Sequence, residues 1–437
     1  MRSPAERSPD VDQSALTSAG ASAPSQYDRA AVHTRAIALA STLVATLYLV
    51  QLPGPLRLDT DSAWYLQIAA SIADGNGAHP SGVPGFPPGL PLLLGGLDSV
   101  GLGTPWAFSA LNICFLLVGL ASAYISLRVG LGLDRDGAAV ICLLTAVTAL
   151  AVKYTMLPLS EIPFFGVANA SVAALVVAYK RCQIRLIVAG AVLAALACTI
   201  RTAGVALLPA LILSFATTRA RIVAAFGATV AATAAVAINP RYLDELRGGW
   251  HGSLVHDAVG EARHLAASTG AAVSNVPISR MGTFEPILIP IGIAALLLTA
   301  LVLVRRRKIL GPLDGWVIGC VFLVYVWPSD HPRFILPVLP VLLGYTFVAV
   351  RSHRLLVAGW AVVLVVSGTA ALAYSVSLSY SGNSFPERYA GGVLAPSYRV
   401  AWGRARPGDA ALIDPTVVAV LRRYDPRHRA HLPVARR

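Results

Sequence analysis

The chain has 437 residues, of which 56% are hydrophobic and only 13% are charged, and its mean hydropathy is +0.65. Soluble proteins average about 25% charged residues, so this composition excludes an ordinary soluble protein and predicts an all-α polytopic membrane protein. The net charge of +13 is explained by basic anchors at the membrane surface and a basic tail, so no nucleic-acid partner is expected. The five cysteines show no CxxC spacing and predict neither a disulfide framework nor a zinc site.

The predicted elements follow hydropathy in chain order. Residues 1–33 are rich in Ser, Ala, Pro and charge, cannot bury a core, and are expected to form a disordered cytoplasmic tail. Residues 34–373 form the predicted transmembrane domain, with about eleven apolar segments. These segments are 34–52, 105–127, 137–157, 162–179, 186–199, 202–215, 222–238, 286–304, 313–327, 334–350 and 355–373. The runs at 186–199 and 202–215 are shorter than the roughly 20 residues that a crossing needs, which leaves the count open there.

Three polar stretches connect or follow these segments. The first, 53–104, is a predicted outer loop with interfacial helices, of which SAWYLQIAASIADG is amphipathic, begins at Ser62 and stops at Gly75. The second predicted outer loop is 239–283. The tail 374–437 is expected to be short and external, with a strand at 408–413 and a helix at 416–424. Its arginines could hold anionic lipid headgroups or simply be solvated.

The basic residues predict the orientation. If the N-terminus is cytoplasmic, every short inward connection carries Lys or Arg, as the positive-inside rule requires. The residues concerned are Arg128, Arg135, Lys180, Arg181, Arg185, Arg219, Arg221, Arg305, Arg306, Arg307, Lys308, Arg351 and Arg354. Ten other charged residues and histidines then lie at or near the outer surface: Asp59, Asp61, His79, Lys153, Glu161, Arg201, Arg280, Asp330, His331 and Arg333. Their accumulation on one side indicates an outward-facing site. The expected location is the cytoplasmic membrane, with several crossings and an external C-terminus.

Two carboxylates, Asp59 and Asp61, stand where the first apolar segment gives way to the outer loop. A carboxylate at a membrane surface costs solvation energy and is expected to have a partner or a task. An Asp at a helix start is often only a cap, and the alternative is a catalytic or substrate-orienting carboxylate. A divalent metal between the two is a further option, although two acids are too few ligands to name an ion.

Cationic residues are the second group of candidate site residues, after the two carboxylates. Arg201 separates two apolar runs, so its guanidinium is expected to have an anionic partner. That partner is either a lipid phosphate held bidentately or Glu161 in a structural ion pair, and Glu161 could equally cap its helix. Arg333 has the same alternatives, with snorkelling to the interface as a third. Lys153 lies about one turn inside its segment, too deep for a simple anchor.

Several short motifs follow one another along the chain. The acidic loop with Asp-x-x-x-Tyr at Asp61 and Tyr65 precedes a Pro-Pro-Gly-x-Pro-Leu-Leu turn. Further along the chain come LSEIPF around Glu161, RTAG from Arg201, and HPRFILP around Arg333. This order resembles the GT-C superfamily of glycosyltransferases that use polyprenyl-phosphate sugars, in particular the protein-O-mannosyltransferase and aminoarabinose-transferase-like branch, and the similarity in layout covers 34–373. The family pattern has Asp-Glu at the loop start, whereas Ser62 follows Asp61 here.

The resemblance implies a sugar transfer from a lipid phosphate to a lipid, glycan or protein acceptor on the outer membrane face, among membrane lipids. It implies Asp61 as the catalytic carboxylate, with Asp59 as a second whose role is open. The residues expected to bind substrate are Tyr65, His79, Lys153, Glu161, Arg201, His331 and Arg333. The rival interpretations are a transporter or lipid flippase that uses the same charges for substrate binding, and a non-catalytic relative.

Overall fold

The computed structural model describes residues 26–78, 83, 85–215, 217, 219–224, 254–327 and 332–425. All regular secondary structure in these ranges is helical and none of it is strand, which confirms the all-α class. The α-helices in chain order are α1 (Gln26–Leu49), α2 (Thr60–Ala73), α3 (Gly89–Ser99), α4 (Pro105–Ser126), α5 (Arg135–Ala146), α6 (Ala149–Thr155), α7 (Glu161–Arg181), α8 (Ile184–Ile200), α9 (Leu208–Leu213), α10 (Leu254–Ser274), α11 (Met281–Arg306), α12 (Pro312–Val326), α13 (Leu339–Val350), α14 (Arg354–Ser379), α15 (Phe385–Arg388), α16 (Ala395–Ala401) and α17 (Pro415–Tyr424).

Several of these helices can cross a membrane by length and composition. Five stretches qualify alone, and a sixth is the pair α5 and α6, which is bent by 59°. The five are Pro105–Leu131, Glu161–Arg181, Ile278–Arg306, Pro332–Val350 and Arg354–Ser379. The chain is therefore a helical membrane protein with five or six candidate spans in its described part.

Shorter apolar helices account for most of the other predicted segments. They are Thr34–Leu49, Ile184–Ile200, Thr202–Leu213 and Pro312–Val326. Together with the six candidates they match ten of the predicted segments in position, and most of the remaining one, 222–238, lies outside the described residues. The number of about eleven crossings stays a prediction, since four of the helices are short for the roughly 20 residues of a full crossing.

Helix α7 is the centre of the bundle. In the most apolar 18 residues of α7, 78% are buried, against 17% in the corresponding stretch of α14. The exposed apolar side chains of α14 suit a position that faces lipid. α7 packs against α4, α6, α8, α9 and α12. Its approach to α4 is close because Gly166 has no side chain: an added Cβ would lie 2.7 Å from the carbonyl oxygen of Phe115. The first residue of α7, Glu161, is consequently held in the interior at one end of the bundle.

The stretch predicted as a second outer loop, 239–283, is not a loop where it is described. Helix α10 occupies Leu254–Ser274, and its second half is buried against α11. The two backbones touch where Gly270 faces the Leu288 carbonyl and Gly292 faces the Ala266 carbonyl, positions at which a Cβ would overlap the opposite backbone. Small residues allow such close helix contacts in membranes. The first half of α10 is polar, so the average hydropathy of the stretch is too low to predict a helix that packs in the membrane domain.

The C-terminal tail also differs from the prediction. Residues 408–413 do not form a strand; Asp409–Ala411 is a 3₁₀ turn. The predicted helix at 416–424 is present as α17, where Asp414 caps the amide of Thr416 and Pro415 occupies the first helical position. Tail helices pack on α2 and on each other, and the apolar residues 410–413 do not belong to a sheet.

Candidate functional site

The helix that carries the two loop carboxylates begins earlier than predicted. Asp59 is its N-cap: Asp59 Oδ1 accepts a hydrogen bond from the amide of Thr60 at 2.8 Å, and the Asp59 amide donates to Ser62 Oγ at 2.6 Å. This reciprocal capping box places the first helical residue at Thr60, so the predicted start at Ser62 is wrong by two residues. The cap is thus Asp59, and the carboxylate of Asp61 in the first turn is left for other contacts.

Three further segments bring charged side chains to Asp61. Glu161 is the first residue of α7. Arg201 lies in an extended break, φ −153° and ψ 134°, between α8 and the 3₁₀ helix Thr202–Leu207. Arg333 lies in the 3₁₀ turn Pro332–Phe334 that follows α12. Arg201 therefore separates two helical segments, as its position between two apolar runs in the sequence predicts.

These four residues form the cavity cluster, a chain of ion pairs. Arg333 Nη1 lies 3.0 Å from Asp61 Oδ2 and 3.5 Å from Glu161 Oε1. Arg201 Nη1 lies 2.7 Å from the same Glu161 oxygen and donates to Ser160 Oγ at 3.3 Å. The two formal positive charges balance the two negative ones. The expected ion pair between Arg201 and Glu161 is therefore present, and Arg333 bridges it to Asp61.

Burial within the cavity cluster is uneven. The Glu161 side chain is 2% exposed, whereas that of Asp61 is 32% exposed. Glu161 Oε2 and Arg333 Nε are buried without a hydrogen-bond partner among the described residues. A buried polar atom left unpaired costs free energy, so each of these two atoms needs a hydrogen-bond partner, such as a water or a bound molecule.

A cavity of about 310 Å³ opens beside these atoms. All four members of the cavity cluster line it, together with Tyr65, Ser160 and the aromatic residues Trp64, Phe86, Trp327 and Phe334. The Arg201 guanidinium lies 4.8 Å from the ring centroid of Phe334, a cation–π distance. The site therefore combines two guanidinium groups and two carboxylates with flat apolar walls.

Of the other predicted site residues, only some lie at the cavity in the described structure. Tyr65 lines the cavity and its hydroxyl donates to Ser160 Oγ at 3.3 Å; burial raises the pKa of Tyr65 to about 12, so the phenol stays protonated. Lys153 Nζ lies 4.0 Å from Asp59 Oδ2, both side chains are about half exposed, and neither lines the cavity. His79 and His331 lie outside the described residues.

Some lining residues were not predicted as site residues. Ser160 precedes Glu161 and receives hydrogen bonds from both Tyr65 and Arg201. The ring of Phe86 lies 4.6 Å from that of Tyr65. Ser160 belongs to the LSEIPF motif and Phe86 directly precedes the Pro-Pro-Gly-x-Pro-Leu-Leu turn, but no local pattern shows that these two stretches meet.

Asp59 and Asp61 do not face one partner in common: Asp59 caps α2 and approaches Lys153, and Asp61 pairs with Arg333. Among the described residues, no group of three or more His, Cys, Asp and Glu side chains is arranged to hold a metal ion. The divalent-metal option stays a prediction.

Comparisons with family models, curated proteins and solved structures find no match to this chain, so the chemistry must be argued from the site itself.

The geometry allows two chemical tasks. Guanidinium groups held by packing can bind an anion with planar, bidentate hydrogen bonds. A partly exposed carboxylate at the rim can accept a proton from an incoming group. Asp61 is the carboxylate so placed, because Glu161 is enclosed and Asp59 is engaged as a cap.

Proposed function

We propose that the protein is a membrane glycosyltransferase, which moves a hexose or pentose from a polyprenyl-phosphate donor to an acceptor on the outer face of the cytoplasmic membrane. The observation that carries the proposal is the convergence of Arg201 and Arg333 on one cavity beside Asp61. The resemblance of the motif order to the GT-C superfamily adds the donor class.

The residues suit the steps of such a transfer. An acceptor hydroxyl attacks the anomeric carbon of the sugar while the bond from that carbon to the phosphate oxygen breaks. The electron pair goes to the phosphate, which leaves as polyprenyl phosphate, and the acceptor proton passes to Asp61. Arg201 and Arg333 stabilise the negative charge that the phosphate gains.

The size of the cavity supports a small headgroup. Ligand pockets range over roughly 300–1,000 Å³, and about 310 Å³ is at the low end. A sugar phosphate suits this volume, while the prenyl chain would lie outside it along apolar helices. The unpaired Glu161 Oε2 suits a sugar hydroxyl donor, and the unpaired Arg333 Nε–H suits a phosphate or sugar oxygen.

The proposal includes about eleven crossings with a cytoplasmic N-terminus and an external C-terminal tail. A reporter fused after Arg307 should then read cytoplasmic, and one fused after Gly408 external, because the basic connections are retained inside. An external signal at Arg307 would overturn this orientation and place the cavity on the other side.

A transporter or flippase could use the same charges, but one feature favours the enzyme. The charged residues gather at one end of α7 and beyond the end of α12, whereas transporters place substrate sites near the bilayer midplane between repeats. The deciding experiment incubates the purified protein with a panel of polyprenyl-phosphate sugars and measures donor consumption and release of polyprenyl phosphate. Binding without any consumption, with acceptors supplied, would favour the transporter.

A further inference from the structure

The stretch that leads into Asp59 is buried although it is not helical. Leu56, Arg57 and Leu58 are at most 6% exposed and have no regular secondary structure. Buried backbone amides and carbonyls must find partners. For this stretch the partners come from the far end of the chain.

Side chains of the segment 382–425, which we name the tail segment, supply those hydrogen bonds. The Tyr398 hydroxyl donates to the Leu56 carbonyl at 2.6 Å and accepts from the Leu58 amide at 3.1 Å. The Tyr389 hydroxyl donates to the Leu58 carbonyl at 2.7 Å. The Leu56 amide donates to Asp425 at 3.3 Å. The tail segment thus replaces the neighbouring strand that an extended buried segment ordinarily needs.

The two hydroxyls are themselves held by packing. Tyr389 stacks on Phe385 with ring centroids 5.0 Å apart, and Tyr398 meets Phe385 edge-on at 5.4 Å and Trp402 at 5.4 Å. All four aromatic side chains are buried. Burial raises the pKa of both tyrosines, so each remains a hydrogen-bond donor.

The tail segment also holds the opposite end of α2. Arg423 Nη1 lies 2.8 Å from Asp74, the residue after α2, and Arg423 Nη2 lies 2.8 Å from Asp98 of α3. The Tyr424 hydroxyl lies 3.0 Å from Asp98 Oδ2, to which it donates, and 3.3 Å from the Leu66 carbonyl in the middle of α2. The helix that carries Asp61 is therefore fixed by the same segment before its start, at its middle and after its end.

We propose that the tail segment is a clamp for the Asp59–Asp61 turn, with Tyr389 and Tyr398 as positioning residues for the Asp61 carboxylate. The Leu58 carbonyl belongs to the peptide unit that enters Asp59, so its orientation sets the direction of α2. In the described structure no tail-segment residue lines the cavity, so an effect of these tyrosines on turnover has to pass through α2. The kinetic part of this inference rests on the proposed function.

The test uses Tyr398→Phe and Tyr389→Phe in the full-length protein, which keep the rings and remove only the hydroxyls. The matched control is Tyr380→Phe, because the exposed Tyr380 hydroxyl donates to the Val50 carbonyl at 2.6 Å, and both residues lie outside the tail segment and outside the stretch 56–66. For each variant we would measure amide hydrogen exchange of the peptide 56–66, affinity for a polyprenyl phosphate, and kcat and KM for the active donor.

A clamp predicts a specific pattern. Exchange at 56–66 should be several-fold faster in Tyr398→Phe and unchanged in Tyr380→Phe, as expected for loss of buried hydrogen bonds. The kcat should fall roughly 10- to 100-fold because the carboxylate is displaced from its reacting partner. The KM for donor and the polyprenyl-phosphate affinity should stay within about twofold, because Arg201 and Arg333 are untouched.

Other outcomes have definite meanings. Unchanged exchange at 56–66 in both tyrosine variants overturns the clamp, and faster exchange with wild-type kcat overturns the positioning role. If Tyr398→Phe does not fold, Tyr389→Phe, which loses a single hydrogen bond, decides in its place. If the wild type consumes no donor, the proposed function fails, while the exchange comparison still decides whether the tail segment holds the turn.

Discussion

The cavity cluster, whose Arg333 follows the end of α12, has a counterpart at the beginning of α12, and the two clusters differ in how completely their atoms are paired. The counterpart, here named the buried cluster, comprises Arg306, Asp314, Tyr345 and the Gly130 carbonyl. Arg306 Nε lies 2.9 Å from Asp314 Oδ1, and Arg306 Nη2 donates to Gly130 at 2.9 Å. The Tyr345 hydroxyl and the Gly311 amide donate to Asp314 at 2.5 and 2.8 Å.

This difference in pairing indicates that the buried cluster stabilises the fold and that the cavity cluster binds a ligand. In the buried cluster the carboxylate is fully enclosed and both of its oxygens are hydrogen-bonded, so a ligand would have nothing to add. In the cavity cluster Glu161 Oε2 and Arg333 Nε are buried without hydrogen-bond partners among the described residues, next to the cavity. The ion pair at the beginning of α12 therefore serves the structure, and the cluster beyond its end is the one that we expect to bind a ligand.

The largest expected effect is on catalysis at the open end. Asp61→Asn keeps the size of the side chain and removes its ability to take a proton, so turnover should fall by roughly 10²- to 10⁴-fold. Asp59→Asn is the matched control, because Asn caps a helix about as well as Asp and this variant should retain most activity. Wild-type turnover in Asp61→Asn would show that Asp61 is not the base.

The buried cluster should respond in stability. Asp314→Ala leaves the Arg306 guanidinium, whose side chain is 19% exposed, without its carboxylate. Loss of one partner of a fully buried pair costs about 3–5 kcal/mol, and the cost here should lie at or below the lower end of that range because water reaches Arg306. Thermal unfolding in detergent measures the effect, and polyprenyl-phosphate affinity of the folded fraction should not change. A variant as stable as the wild type would contradict the structural role of this cluster.

Donor binding should weaken when the planar guanidinium of Arg201 or Arg333 is replaced by an ammonium group. Arg201→Lys and Arg333→Lys retain charge but not bidentate geometry, and a loss of about tenfold in affinity, roughly 1.4 kcal/mol, is expected for each. Arg201→Lys should also lower the melting temperature more, because its partner Glu161 is the more buried carboxylate. Reduced stability with unchanged donor affinity in both variants would assign the arginines to structure alone.

The smallest effect is an increase in affinity. An anionic ligand adds a negative charge to a cluster that is already neutral, and Asp61, the more exposed carboxylate, is the partner that it can replace on Arg333. Removing this competitor by Asp61→Asn should tighten polyprenyl-phosphate binding by about two- to fivefold, the value of a partly exposed ion pair. Weaker binding in Asp61→Asn would mean that the carboxylate helps to bind the ligand.

The sequence by itself determined the class of protein and the positions of most apolar helices, because the length and hydropathy of a run are local properties. It also selected Asp61, Glu161, Arg201 and Arg333, since charged residues inside or beside apolar runs need partners. The helix α10 was missed because small residues such as Ala266 and Gly270 pack well without being strongly hydrophobic.

Only the tertiary structure decided which groups meet. Asp59 rather than Asp61 became the cap because the hydroxyl of Ser62 could complete the capping box. Arg333 reaches Asp61 across 272 positions of the chain and Tyr398 reaches Leu58 across 340, separations over which no local pattern specifies a partner. The unpaired atoms of the cavity, the closed network around Asp314 and the hold of the tail segment on α2 depend on such distant contacts, so the folded bundle alone assigns their roles.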